Sequence, residues 1–274
     1  MKEVSAMHIG FLGAGNMAGA MIRGLRAKGH TASDVAAFDV NANKSAALNA
    51  DCGLTVAASA ADLIARSDVV VLAVKPQMLK EALADLQPAL ASADPLIISI
   101  AAGTPLKTLS ALCGDGRRIV RVMPNLNATV GEAMSAFCGN ALVTDSDFET
   151  AEAILCAFGK AVRLPEEQFS AYSALAGCSP AYSMLYMDAL VSAGVEAGID
   201  PAIAKSVVAQ AVLGTAKLLA ASPDSPETWV ERVCSPGGTT IEGVKVLRAE
   251  NVGDAVKAAA NASIRRDEEL AKAH

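Results

Sequence analysis

Aromatic side chains are scarce, at 4% of 274 residues with a single tryptophan, while alanine occupies 56 positions. The core must therefore consist of small side chains and closely approaching elements. Basic tracts are absent, and 23 Lys and Arg against 29 Asp and Glu leave a net charge of −6. Such a surface does not neutralise phosphates, so no nucleic-acid partner is expected. The six cysteines form no C-x-x-C pair and share no ligand rhythm with the three histidines. They read as buried thiols in a reducing compartment, and no metal site is expected. No apolar run approaches the ~18 residues that span a bilayer. The longest, 69–74 and 96–102, have the length of strands. Gly10, Gly13, Gly15 and Asn16 break the apolar opening, and Arg23 and Arg26 follow, unlike a secretory signal. The expectation is a cytoplasmic chain without membrane contact.

Hydrophobic residues reach 52%, enough for a substantial core, and the length suits about two domains of roughly 150 residues each. Up to about residue 164, short apolar runs alternate with amphipathic stretches. Strands are predicted at 8–12, 35–38, 54–56, 69–73, 96–100 and 119–123, and helices at 16–28, 60–66, 78–90 and 106–112. Uninterrupted apolar strands are buried on both faces, as in a parallel sheet covered by crossover helices. Beyond Glu166 the strand signals stop. Helices are predicted at 181–197, 201–221, 229–234, 240–249 and 252–272. The segments 181–197 and 202–219 are apolar or small on nearly every face, so they need burial on all sides. One layer of helices cannot provide that, and a partner copy of the chain is expected. The fold class is thus α/β: a Rossmann-type doubly wound parallel sheet (1–165), followed by an all-α dimerisation and substrate-binding domain (166–274).

The first strand runs into Gly13-Ala14-Gly15-Asn16-Met17-Ala18 and then a helix. This is a G-x-G-x-x-A turn. Gly13 allows the tight bend, Gly15 lets backbone approach a pyrophosphate, and the helix start offers N–H donors. Asp39, at the end of the second strand, is placed to accept hydrogen bonds from ribose hydroxyls, which leans towards NADH. Asn41, Asn43 and Lys44 follow and could instead hold a 2′-phosphate, and Asp39 could merely cap the next helix. Three further loops, at 73–77, 99–103 and 123–125, follow strands four, five and six, where open α/β sheets bind ligands. Lys75 in the first of these reads equally well as a solvated charge.

None of His8, His30 and His274 is placed as the acid–base group of a carbonyl-reducing dehydrogenase. The span between Lys160 and Lys205 has no lysine, although 3-hydroxyacid dehydrogenases use a helix lysine in this region. A cyclic imine, readily protonated, is a hydride acceptor that needs little acid catalysis. Residues 234–240, Cys-Ser-Pro-Gly-Gly-Thr-Thr, open a helix with a concave set of N–H and O–H donors suited to a carboxylate. The plainer alternative is a glycine loop with a Thr N-cap.

IGFLGAGNMAGAMIRGL, VKPQ, SIAAG, RVMPN, GCSPAY and CSPGGTT, in this order along almost the whole chain, resemble pyrroline-5-carboxylate reductase. The resemblance implies reduction of 1-pyrroline-5-carboxylate to L-proline with NADPH or NADH, and dimers often assembled into decamers. It places Leu12, Gly13, Ala14, Gly15, Asn16 and Met17, together with Ala73, Val74, Lys75, Pro76, Ala101 and Ala102, at the dinucleotide, and the strand-end reading adds Asp39 and Asn125. Ser235, Gly237, Gly238, Thr239 and Thr240 would hold the substrate, with carboxylate contacts from the N–H groups of Gly238 and Thr239. Thr240 would carry the hydroxyl near the ring nitrogen. The chain departs from the family at Leu126-Asn127, where Thr-Pro is usual, at Cys178, and at Arg232-Val233 before the second loop.

Overall fold

The computed structural model describes residues 7–272; His274, named above, lies outside them. It forms two compact units: one runs to Gly177 and takes back the residues from Ile264 on, and the other is Cys178–Ser263. The division read from the sequence, at 165/166, falls inside the first unit.

The first unit contains β1 (Ile9–Leu12), α1 (Asn16–Ala27), β2 (Val35–Phe38), α2 (Ala42–Cys52), β3 (Thr55–Val56), α3 (Ala60–Ala65) and β4 (Val69–Leu72). Then come α4 (Leu79–Leu83), α5 (Gln87–Ala93), β5 (Leu96–Ser99), α6 (Leu106–Cys113), β6 (Ile119–Met123), β7 (Ala133–Gly139), α7 (Asp145–Leu155), β8 (Gly159–Arg163) and α8 (Phe169–Tyr172). The strand order is β3-β2-β1-β4-β5-β6-β7-β8. The chain steps outward from β1 to β3 on one side, then returns to β4 on the other. The carboxyl ends of β1 and β4 therefore flank the point where strand order reverses, the usual ligand crevice of such sheets.

The six strands expected from the sequence form the parallel sheet, and two further strands that the sequence reading did not name extend it into a mixed one. β1 to β6 are parallel, but β7 pairs antiparallel with β6, and β8 follows β7 in parallel. Residues 124–132 between β6 and β7 are too few for a crossover helix, so the chain turns back on itself. The predicted helix at 78–90 is also broken, into α4 and α5. Pro88 in the first turn of α5 has no N–H and would clash with a carbonyl of a continuous helix.

Alternate residues of the strands face opposite layers. Phe11, Val71, Ile98 and Val120 pack with Met21, Ile22 and Ile154. Leu12, Val70, Leu72 and Ile97 pack with Leu63, Leu79, Leu90 and Leu109. Each fully buried Leu, Ile or Phe contributes about 1.5–3 kcal/mol. Burial on both faces explains the uninterrupted apolar strands. Only Cys113 and Cys138 are buried among the free cysteines; Cys156 is exposed and Cys52, Cys178 and Cys234 are half-buried. Burial pushes the thiols of Cys113 and Cys138 up to about 12.

The second unit is built from α9 (Ser179–Glu196), α10 (Pro201–Ala220), α11 (Pro226–Val233), α12 (Thr239–Ala249) and the start of α13 (Val252–Lys272). Within a single chain Met184, Leu185, Tyr186, Ile203 and Val207 are more than half exposed. By length and composition α10, with mean hydropathy 1.4, is apolar enough to cross a bilayer, although Lys205 and Lys217 break it into shorter apolar runs.

Candidate active site

Gly13 bends the chain at φ +105°, and a β-carbon there would lie 2.6 Å from the Ala73 carbonyl oxygen. Only glycine fits so close to the neighbouring strand end. Gly15 is different: its backbone is extended, and a β-carbon would meet nothing within 4 Å. The space above Gly15 is open to a ligand rather than filled by protein. Gly15 is also the N-cap of α1, with no side chain capping the helix, and the first helical bond runs from the Gly19 N–H to the Gly15 carbonyl. N–H groups at the start of α1 are thus available to an anion, with the helix dipole behind them. The open cradle and uncapped helix start fit the pyrophosphate of a dinucleotide.

The loop is tied to β2 by its own backbone. The Gly13 N–H donates to the Phe38 carbonyl at 2.7 Å, and the Ala14 N–H to Asp39 Oδ2 at 2.9 Å. Ala14 therefore lines the turn but spends its N–H inside the protein. Asp39 Oδ1 accepts from the Asn41 N–H at 2.9 Å. Asp39 is not the cap of α2. That role belongs to Asn41, whose side chain accepts from the Asn43 N–H.

Leu12, at the end of β1, is buried and aligned with Leu72. Asn16 and Met17 begin α1. Ala73 donates its N–H to the Leu12 carbonyl at 2.8 Å, which brings residues 73–76 beside the glycine turn. Val74 and Pro76 are half-buried, and Lys75 is exposed just ahead of a short 3-10 turn at Pro76–Met78. Ala101 is buried and Ala102 exposed at the end of β5. All these positions lie at the carboxyl edge of the parallel strands.

Asn125 follows β6 but is 6% exposed, and its side chain serves the protein. Its Nδ2 donates to the Ala176 carbonyl at 2.9 Å, and its Oδ1 accepts from the Met134 N–H at 3.2 Å. The amide pins the end of β6 to the start of β7, so a dinucleotide contact there would have to come from backbone. Arg121, in the same RVMPN stretch, was given no role in the sequence reading. It is buried, pairs with Glu166 at 2.8 Å and lies over the Phe169 ring, while Glu166 accepts from the Leu106 N–H. A lone arginine within an apolar strand is the signal that could have exposed this link.

In the second unit, Gly237 takes φ +72° and Gly238 is the N-cap of α12, again without a side-chain cap. A Thr N-cap is therefore not what ends the loop. Gly238 donates its N–H to the Ser235 carbonyl at 3.0 Å, and a β-carbon on Gly238 would collide with Ser235 Oγ. The expected carboxylate contact from the Gly238 N–H is thereby reassigned, because that donor closes the turn. Thr239 and Thr240 form the first two positions of α12, and both are exposed. Their N–H groups and hydroxyls form the donor set at this helix start.

Residues 166–270 match the family described as pyrroline-5-carboxylate reductase dimerisation, and residues 8–103 match NADP oxidoreductase, coenzyme F420-dependent. The chain is similar to pyrroline-5-carboxylate reductase of Pseudomonas aeruginosa, 39% identical over 98% of both chains. That of Escherichia coli is 36% identical over 96% of this chain and 98% of its own.

The chain belongs to the pyrroline-5-carboxylate reductases.

A solved pyrroline-5-carboxylate reductase from Coxiella burnetii superposes with a TM-score of 0.91 at 32% identity, covering 96% of this chain and 98% of its own. One from Plasmodium falciparum, solved with NADP bound, gives 0.86 at 26% identity and covers 97% and 99%. As a pyrroline-5-carboxylate reductase, the chain is an NAD(P)H-dependent oxidoreductase that converts 1-pyrroline-5-carboxylate to proline. Its dimerisation domain makes it a homo-oligomer, which accounts for the exposed apolar side chains of α9 and α10.

Proposed function

We propose that this pyrroline-5-carboxylate reductase divides its work between the glycine turn of the first unit and the Ser235–Thr240 loop of the second. Leu12 to Met17 cradle the pyrophosphate, Asp39 meets the adenosine ribose, and Ala73 to Pro76 with Ala101 and Ala102 border the nicotinamide end. The observation that carries this reading is the open space over Gly15 beside an uncapped helix start. The reduced nicotinamide, when bound, supplies the hydride that the imine carbon accepts.

The chain's own residues position the acceptor. The uncapped N–H groups of Thr239 and Thr240 hold the substrate carboxylate, with the start of the α12 dipole adding to the attraction. Gly237 and Ser235 shape the turn that presents them, and Gly238 closes it. The Thr240 hydroxyl faces the ring nitrogen and orients its proton. Fixing the ring in one pose, rather than strong acid catalysis, accounts for most of the rate. A cyclic iminium is already electrophilic, which agrees with the lack of any lysine between Lys160 and Lys205.

The domain division of this reading is 1–165 for the dinucleotide and 166–274 for dimerisation and substrate. The assembly is a homodimer or a decamer built from five such dimers, located in the cytoplasm with no nucleic-acid or membrane partner. The half-exposed free thiols suit that reducing compartment. The test is steady-state oxidation of NADH and NADPH with 1-pyrroline-5-carboxylate, followed by absorbance. Turnover that requires this imine supports the reading, and turnover only with open-chain imines or keto acids overturns it.

A further inference from the structure

The carboxyl end of β2 is organised against a 2′-phosphate. Asp39 sits there half-buried, its two oxygens fixed by the N–H groups of Ala14 and Asn41, both at 2.9 Å. One of those donors belongs to the glycine turn itself. The carboxylate is therefore held in place beside the cradle rather than swinging in solvent, and each oxygen keeps accepting capacity for a hydroxyl.

Most groups near this strand end that could receive a phosphate have other partners, and only one cation, Lys44, follows Asp39 before Gly53. The N-terminus of α2 is capped by Asn41, whose Oδ1 takes the Asn43 N–H. From Asp39 to Cys52 there is no arginine, and Lys44 is exposed. The arginines of α1 face other partners: Arg23 pairs with Asp51, while Arg26 donates to the carbonyls of Cys52 and His30. Neither guanidinium is directed to Asp39.

From this we infer that Asp39 is the specificity-determining residue for the hydride donor, and that the chain takes NADH in preference to NADPH. The inference rests on the proposed placement of the dinucleotide at the glycine turn. A fixed carboxylate accepts from the ribose 2′- and 3′-hydroxyls. A 2′-phosphate in the same place loses those hydrogen bonds and meets a like charge. Partial screening by salt should soften the repulsion.

The experiment measures dissociation constants of NADH and NADPH by calorimetry for the native oligomer, at low and high salt, and for Asp39→Ser and Asp39→Asn. The native protein should bind NADH at least tenfold more tightly, with the ratio shrinking as salt rises. Asp39→Ser should narrow the ratio at least fivefold, chiefly by tightening NADPH. Asp39→Asn, which keeps the shape and removes the charge, should narrow it less, and it guards against a folding defect in the serine variant. Equal affinities in the native protein, or an unchanged ratio in both variants, would overturn the inference and leave the reductase reading intact. Failure of the native protein to bind either dinucleotide would overturn both.

Discussion

Gly15 and Thr240 both lie at helix starts that no side chain caps, and the proposed function assigns them to different molecules. Thr240→Ala removes one positioned hydroxyl and leaves the backbone donors of α12. It should lower kcat/KM for 1-pyrroline-5-carboxylate by about ten- to a hundredfold, the scale of a hydrogen bond of ~1.5–3 kcal/mol. Dinucleotide affinity should barely move. Gly15→Val should do the reverse. Its extended backbone suits any residue and its β-carbon meets no protein atom, so the fold should persist. The branched side chain would fill the cradle, and calorimetry should show dinucleotide affinity falling at least tenfold. Had Thr240→Ala weakened the dinucleotide instead, the division of labour would be wrong. Gly13 and Gly15 were legible as a fingerprint because glycine spacing encodes backbone geometry directly. The loss of the Ala14 N–H to Asp39, and of the Gly238 N–H to Ser235, was not legible, since hydrogen-bond partners depend on chain segments brought together only by folding.

Among the elements, the turn after α1 carries a buried histidine, His30, whose charge state matters. His30 is 6% exposed, and its Nδ1 has no hydrogen-bond partner. Burial holds its pKa below the ordinary value; Asp34 opposes that shift and Arg26 adds to it. The folded protein therefore binds fewer protons at His30 than the unfolded chain does. Stability from this group is complete above the ordinary histidine value, about 6.5, and is lost as pH falls below that value and through the lowered folded one. Thermal melts from pH 7.5 to 5.5 should show a steeper decline for the native protein than for His30→Gln. Parallel slopes would show that His30 does not contribute. The same scale explains what the sequence concealed. β1, β4 and β5 were readable because burial on both faces makes strands uniformly apolar. β7 and β8, with Ser135, Lys160 and Arg163 in them, carry no such run and were missed, as was α7 between them. Their antiparallel attachment follows from a short connection, which hydrophobic periodicity does not report.

At the level of the whole molecule, the helical unit makes sense only with a second copy. Ala204 is the one buried side chain along α10, although the helix is apolar enough to pass for a membrane span. Its family is a dimerisation domain, so the missing cover is protein. Light scattering at micromolar concentration should give a dimer or a multiple of one, because burying so many Leu, Ile and Val faces at about 25 cal/mol per Å² favours an obligate interface. A stable monomer would contradict this. The need for a partner was legible in the sequence, since two long helices lacked any polar face. The size of the assembly was not, because composition does not encode which surfaces meet.

The uncapped starts of α1 and α12 have one more consequence. A helix whose opening amides lack acceptors frays at that end, so in the free enzyme these two turns are local weak points. On the proposed reading, bound phosphates and the substrate carboxylate would complete the capping that the chain itself omits. Ligands thus act as removable structural parts, and amide exchange at the first turn of each helix should slow in turn as each ligand is added. Affinity and local rigidity are the same free energy seen from two sides, and a substitution that capped either helix internally would stiffen the enzyme while weakening its hold on what it binds.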